Sequence, residues 1–405
     1  MKYLKIILIN LFLTLYSVET LLIFFNNKNN ELSSDDIKLK KIEIAKKENL
    51  SYDLRERKVV FKDLKEKNKN IKPVFNFAPT FRFSKVFNNA LEKNELIPFR
   101  GPINSKTLTC AEDLNYKLVT NDKYGFKNYN ETYDKKINTI ILGNSFAVGL
   151  CQNNDNDFTG NLNRQGINTI NLGVSGSSAL ISLAIITEFG NYFSPKNIVY
   201  LYYEGNDLEG LEWERNIPLL MNYYNDENFN NDYLNRYNEI NKFLYKAEIE
   251  SLKEIYKEGI RYKSKKYTLK EYLVDFIELK KTKKIIREKI LNKSKKNFDE
   301  KLLIETIIKI KNKSLKYADN FLFVYIPDSS RYINNKLSFD QKRIFSYKDK
   351  IINELKKEEI TIIDLTEFFD KDKNPRLFYP FGFNGHFNKK GYKEISKVIS
   401  RELKR

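Results

Sequence analysis

The chain has 405 residues, 41% hydrophobic and 14% aromatic, which is enough apolar material for one large core or two ordinary ones and excludes a disordered chain. Its 71 Lys and Arg outnumber 53 Asp and Glu, for a formal net charge of +18, but the lysines are scattered among Glu, Asn and Ile rather than gathered into a patch. Such an excess reads as a solvated surface, not as a nucleic-acid footprint.

The first element follows Lys2 and Lys5. Ile6 to Phe25 is an apolar stretch interrupted only by Asn10, Thr14, Ser17, Glu19 and Thr20, long enough to cross a hydrocarbon core of about 30 Å. A cleaved signal peptide is the competing reading. No small-x-small cleavage site follows, so residues 1–26 are expected to stay as a transmembrane anchor in the inner membrane. The rest would face the periplasm or cell exterior, away from DNA and RNA.

Residues 27–135 are expected to form a helical stalk followed by an irregular segment packed on a core. Up to about Lys72 the sequence is charged and helical in pattern, with Ile42, Ile44, Val59 and Val60 as sparse apolar points. Pro73, Pro79, Pro98 and Pro102 then punctuate a stretch with scattered aromatics. Two cysteines, Cys110 and Cys151, allow one intramolecular pairing. An exported chain would oxidise them, and two buried thiols are the alternative.

From residue 136 to 405 the pattern changes to short apolar runs: "NTIILG" (138–143), "INTINLG" (167–173), "NIVYLYYEG" (197–205), "NFLFVYIP" (320–327) and "ITIIDL" (360–365). They are β-branched and aromatic almost without alternation, as in strands covered on both faces. Helical stretches such as "SALISLAIITEFG" and "FSYKDKIINELKKE" separate them. This predicts a flavodoxin-like three-layer α/β/α fold around a five-stranded parallel sheet. About residues 210–318, including "KEYLVDFIELKKTKKIIREKIL", break the spacing and read as a large helical insertion at the carboxyl edge of the sheet.

Ser145 ends the first run, in "ILGNSFAVGL". A serine or asparagine there caps a helix by default. The first three strands, however, end in "LGNSF", "LGVSGSS" and "YYEGNDLEG", and the single histidine, His386, lies in "FYPFGFNGHFNKKGY". All four reach one sheet edge. Together they resemble the SGNH hydrolases, or GDSL esterases, in which a serine, a glycine, an asparagine and a C-terminal histidine build one site.

The resemblance implies Ser145 as nucleophile and His386 as its base, with an oxyanion hole from the Ser145 N–H, the Gly176 N–H and the Asn206 side chain. Gly173 is the alternative glycine. Asn144, Asp207 and Asn384 flank these positions as supporting residues. Two positions depart from the family pattern. Asn144 stands where the family has Asp before the serine. The acid usually found two or three residues before the histidine is missing, since those positions hold Asn384 and Phe383. Asp370 and Asp372 are then the candidate acids, and a Ser-His dyad or a catalytically degenerate domain are the other readings.

The stretch "LIPFRGPINSKTLTCAEDLNYKLVTNDKYGFKNYN" resembles the segment before the serine block of bacterial envelope members, which share Cys-x-Glu and Tyr-Gly-Phe-x-Asn elements. That likeness supports pairing Cys110 with Cys151. It also implies an ester hydrolase or acyltransferase working through an acyl-enzyme on acylated carbohydrate, with a non-catalytic polysaccharide-binding protein as the alternative. No cofactor is expected. One His and two Cys offer no metal-ligand cluster, "NDNDF" (154–158) lacks the glycine and closing glutamate of a calcium loop, and "LGVSGSS" lacks the P-loop lysine.

Overall fold

The computed structural model describes residues 2–26, 34–73, 98–261, 269–280, 282–283, 298–334 and 337–405. Pro79, residues 96–97 of the upstream likeness, and 281 and 284–291 of the predicted insertion helix lie outside them. The chain divides into two compact units, Met1–Glu43 with Ile260–Asn297, and Ile44–Gly259 with Phe298–Arg405.

In the first unit, helix Lys2–Asn26 contains the window Lys5–Leu22, 18 residues long and apolar enough to cross a membrane. Its one carboxylate within that window, Glu19, is buried and accepts hydrogen bonds from the backbone N–H and the hydroxyl of Thr282, each at 2.7 Å. A charge in an apolar helix is tolerated when it is matched in this way.

In the second unit, the end of the stretch read as a stalk and the segment read as irregular form a small sheet together. Ile71–Lys72 (β1) runs parallel to Ser105–Leu108 (β2), which is antiparallel to Leu118–Asn121 (β3). Val60 and Phe61, from helix Arg57–Lys67, close a small core against Ile71 and Leu108. The strands "IK", "SKTL" and "LVTN" mix polar and apolar residues and lack the continuous apolar runs that mark a sheet covered on both faces.

The main sheet follows the expected runs: Thr139–Gly143 (β4), Thr169–Asn171 (β5), Asn197–Tyr203 (β6), Asn320–Ile326 (β7) and Thr361–Asp364 (β8). Its order is β5-β4-β6-β7-β8, with every pair parallel. This is the flavodoxin-like order, and its switch point falls between β4 and β6.

Successive residues of the central strands feed two different cores. Ile140, Leu142, Tyr200, Tyr202, Phe323 and Tyr325 pack with helices Ala179–Phe193 and Glu300–Ser314. Ile141, Val199, Leu201, Leu322 and Val324 pack with helices Phe158–Arg164 and Lys389–Leu403. Both faces being dry, the strands show no polar alternation. The predicted insertion also ends earlier than its spacing suggested: Glu300–Ser314 buries Leu303, Ile307 and Ile310 and belongs to the α/β/α layers.

The end of β4 is crowded. Gly143 has φ +131°, and a Cβ there would lie 2.3 Å from the Leu201 carbonyl oxygen of β6. Only glycine allows this conformation at that approach. Gly143→Ala is therefore expected to lower stability by about 3 kcal/mol or more in a denaturant titration, with a loss of secondary structure at lower urea concentration.

Candidate active site

Past Gly143 the chain turns at once into the short helix Ser145–Val148. Asn144 caps it, its Oδ1 accepting the Phe146 N–H at 2.9 Å, and Gly149 ends it at φ +68°. This fixes Ser145 at the carboxyl end of β4, at the switch point, with its backbone N–H on the first turn of the helix. Beneath the far end of the helix, the buried ammonium of Lys127 donates to the carbonyl oxygens of Val148 (3.1 Å) and Gly149 (2.9 Å) and pairs with Asp157 at 2.9 Å. Burial pushes that lysine's pKa down while Asp157 pulls it up, which ties the cation to its partners.

The loop after β5 is fastened to the same strand end. The Val174 N–H and the Ser177 hydroxyl both donate to the Gly143 oxygen, at 2.9 and 3.3 Å. Ser177 N–H closes a turn onto the Val174 oxygen at 3.1 Å, with Gly176 in its third position at φ +75°, where glycine is favoured. Gly173 serves a different purpose. Its N–H donates to Asn171 Oδ1 at 2.8 Å, and a Cβ there would come within 3.0 Å of Ala147 Cβ and Val148 N. Close packing against the serine helix explains this glycine, and the alternative oxyanion role does not fit it.

Asn206 follows β6 and is exposed. Its Oδ1 accepts from Asn144 Nδ2 at 3.2 Å, which leaves its own Nδ2 donors turned away from that contact. The same Asn144 amide donates to Asp207 Oδ1 at 2.5 Å, while Asp207 Oδ2 accepts the Tyr203 N–H at 2.8 Å. Burial pushes the Asp207 carboxyl well above its ordinary range, against the pull of those two donors, and the Glu214 charge adds to the rise. Asn144 thus does two things an aspartate could not: it orients Asn206 and sits against a buried acid. The departure from the family's Asp has a physical reason in this chain.

His386 comes from the loop before helix Lys389–Leu403. Its Nε2 lies 2.8 Å from Ser145 Oγ, and its ring packs against Phe146 at 4.9 Å between centroids, tilted by 45°. The third member is Glu112. Its Oε1 lies 2.8 Å from His386 Nδ1, and its Oε2 accepts the His386 backbone N–H at 2.7 Å. A carboxylate only accepts, so Nδ1 carries the ring proton and Nε2 is left to take the serine's.

The candidate acids from the C-terminal half are placed elsewhere. Asp372 accepts the Asn374 N–H at 2.8 Å, and Asp370 acts on the Tyr332 hydroxyl. Asn384 likewise does not support the histidine ring; its amide bonds Ser329 (3.2 Å) and Asn334 (3.4 Å).

Glu112 lies in the connection between β2 and β3, 274 residues before the histidine. Two attachments hold that connection at the site. The expected pair Cys110–Cys151 forms a disulfide, Cα to Cα 4.9 Å, linking it to the turn after the serine helix. Asn154 exchanges two bonds of 2.9 Å with the Thr120 backbone on β3. Gly385 supplies the space, since a Cβ there would meet Glu112 Oε2 at 2.7 Å. The signal in the sequence was the Cys-x-Glu element itself. Cys151 Sγ, the Glu112 carboxylate and His386 also lie within 4.8 Å of one another, but the sulfur is covalently engaged and the other two bond each other, so this donor set does not suit a metal.

Three outcomes are expected. Glu112→Gln lowers the rate of serine acylation by about 10³ to 10⁴, whereas Asp370→Asn and Asp372→Asn leave it unchanged, as read by fluorophosphonate labelling. Gly385→Ala gives a loss of the same direction by displacing the carboxylate. Asn144→Asp sets two carboxyls in one buried site and lowers the thermal midpoint. Because Asp207 is already pushed toward its neutral form, that loss is smaller at about pH 4 than at about pH 8.

No family model matches the chain, and no curated protein matches it. Among solved structures, it is similar to a lipase/acylhydrolase from Enterococcus faecalis (12% identity, 66% of this chain and 95% of that one, TM-score 0.36). A GDSL-like lipase from Bacteroides thetaiotaomicron (11%, 67% and 89%, TM-score 0.35) and an acetylxylan esterase from Geobacillus stearothermophilus, crystallised as a catalytic mutant (12%, 66% and 96%, TM-score 0.33), are similar to the same degree. With TM-scores this low these likenesses carry no weight for the chemistry, which rests on the chain's own side chains.

Proposed function

We propose that the chain is a serine esterase or acyltransferase of the SGNH type, acting on O-acyl groups of envelope or extracellular carbohydrate. The observation that carries this reading is the continuous relay from Ser145 Oγ through His386 to Glu112, with 2.8 Å at both steps.

In the reaction, Ser145 Oγ attacks the acyl carbonyl while its proton passes to His386 Nε2. The imidazolium so formed is stabilised by Glu112, and the backbone bond to the same carboxylate keeps the ring from turning. The oxyanion is received by the Ser145 N–H and the Asn206 amide, with the Gly176 N–H as the third donor. One such donor is typically worth about 2.7 to 4 kcal/mol in the barrier. His386 then returns the proton to the leaving sugar hydroxyl. Water, or a second hydroxyl, attacks the acyl-enzyme with His386 again as base.

The setting agrees with an exported protein. The helix at Lys2–Asn26 would anchor it in the membrane, and the disulfide beside the catalytic acid calls for an oxidising compartment on the extracytoplasmic side. Acylated envelope glycans are among the esters on that side, and lipid esters are the others.

Hydrolysis of an aryl acetate by the purified chain, abolished by Ser145→Ala and by His386→Ala with the fold retained, is the expected result. Acetate release from an O-acetylated polysaccharide tests the substrate class. Wild-type protein that neither reacts with a fluorophosphonate nor releases acetate, yet still binds the polysaccharide, would establish the non-catalytic alternative.

A further inference from the structure

Away from the triad, the second unit holds a cavity of about 340 Å³ lined by Arg100, Lys123, Tyr124, Tyr192, Tyr233 and Tyr237, among others. Its place in the fold is the amino edge of the sheet. Helix Ala179–Phe193 starts beside the site, where Ser178 Oγ donates to the Asp207 oxygen at 2.6 Å, and ends at Tyr192 before β6 begins. Fifteen residues of helix span about 22 Å, so catalysis and this cavity occupy opposite ends.

Arg100 is the unusual group. It is 2% exposed and has no carboxylate partner among the described residues. Its guanidinium donates to neutral acceptors, the Gly101 oxygen at 3.2 Å and Asn241 Oδ1 at 3.1 Å, and faces the Tyr233 hydroxyl and the Tyr237 ring at 4.9 Å. Glu188, the buried acid near Tyr233, is occupied by the Tyr223 hydroxyl (2.6 Å) and the backbone N–H groups of Asn231 (2.7 Å) and Tyr233 (2.9 Å). A buried cation is costly without a counter-charge, and this one borders an open cavity with a planar fork whose donors beyond those given to Gly101 and Asn241 suit a carboxylate.

The remaining walls indicate what carries the charge. The Tyr124 and Tyr192 hydroxyls bond each other at 2.7 Å, and Lys123 Nζ hovers at 5.4 Å from the Tyr124 ring. Tyr192 is 57% exposed and Tyr237 36%, so both present ring and hydroxyl at the mouth. Aromatic rings with polar tips suit a ring-shaped polyol, whose C–H faces stack while its hydroxyls bond. The volume, at the small end for ligand sites, is that of a sugar unit rather than a lipid chain.

We infer that this cavity is a second, non-catalytic binding site for a carboxylate-bearing sugar unit, with Arg100 on the carboxylate, Lys123 at the rim and the tyrosines on the ring. It would hold an acidic glycan at a distance from the acyl group being transferred.

The test is calorimetric titration of full-length Ser145→Ala protein in detergent with D-glucuronate, D-glucose and benzoate, so that catalysis plays no part. The expected result is glucuronate binding with a Kd of about 1 mM or tighter, at least tenfold tighter than glucose or benzoate. Arg100→Gln abolishes it. Tyr192→Ala and Lys123→Gln, both at the accessible mouth, weaken it at least threefold without changing the thermal midpoint. Glucuronate no tighter than glucose, benzoate equal to glucuronate, or affinity unchanged in both mouth variants would each overturn the inference, whatever Arg100→Gln does to folding.

Discussion

A histidine can act as a base toward a serine only if its far nitrogen is fixed as a donor and its ring is kept from rotating. In this chain one carboxylate meets both needs. Glu112 takes the Nδ1 proton on one oxygen and the backbone N–H of the same residue on the other. Two bonds from one rigid group to one residue define the ring plane more tightly than a single bond would. The features around the site follow from keeping that carboxylate in position: a hairpin to carry it, a disulfide and Asn154 to hold the hairpin, and a glycine at 385 to leave it room.

A second constraint acts around Asn206. The Asn144 side chain is shared between capping the serine helix, orienting Asn206 and matching the buried Asp207. Two loops about sixty residues apart in sequence thereby become one network, and its polarity is set by an amide. An amide can donate and accept at once, whereas a carboxylate would accept only and would repel the acid opposite.

Much of this was legible in the sequence, for identifiable reasons. The five strands of the parallel sheet announced themselves because both faces are covered, so their apolar runs are continuous. Ser145, Asn206 and His386 were legible because strand ends in this topology converge, and a single histidine leaves no choice. The acid was not. It was sought in the few residues before His386, where Asp370 and Asp372 looked nearest in sequence, but the residue that reaches the ring comes from the other end of the chain. Proximity there depends on a hairpin whose strands of four residues give no periodic signal, and on a disulfide whose consequence for Glu112 two residues away is geometric. The Arg100 cavity was equally invisible, since a buried guanidinium bonded to neutral acceptors looks like any other arginine until its neighbours are known.

The location of Glu112 also bears on where the folding module begins. The strands of the α/β/α layers start near residue 139, yet the chain before them supplies Phe99 and Phe126 to one core and the buried Lys127 that pairs with Asp157. A fragment cut at that boundary would keep Ser145, Asn206 and His386, yet leave Cys151 as a lone thiol, Asp157 without Lys127 and the imidazole without Glu112. A boundary drawn at the first strand of the large sheet would thus cut through a shared core as well as through the contact between Glu112 and His386.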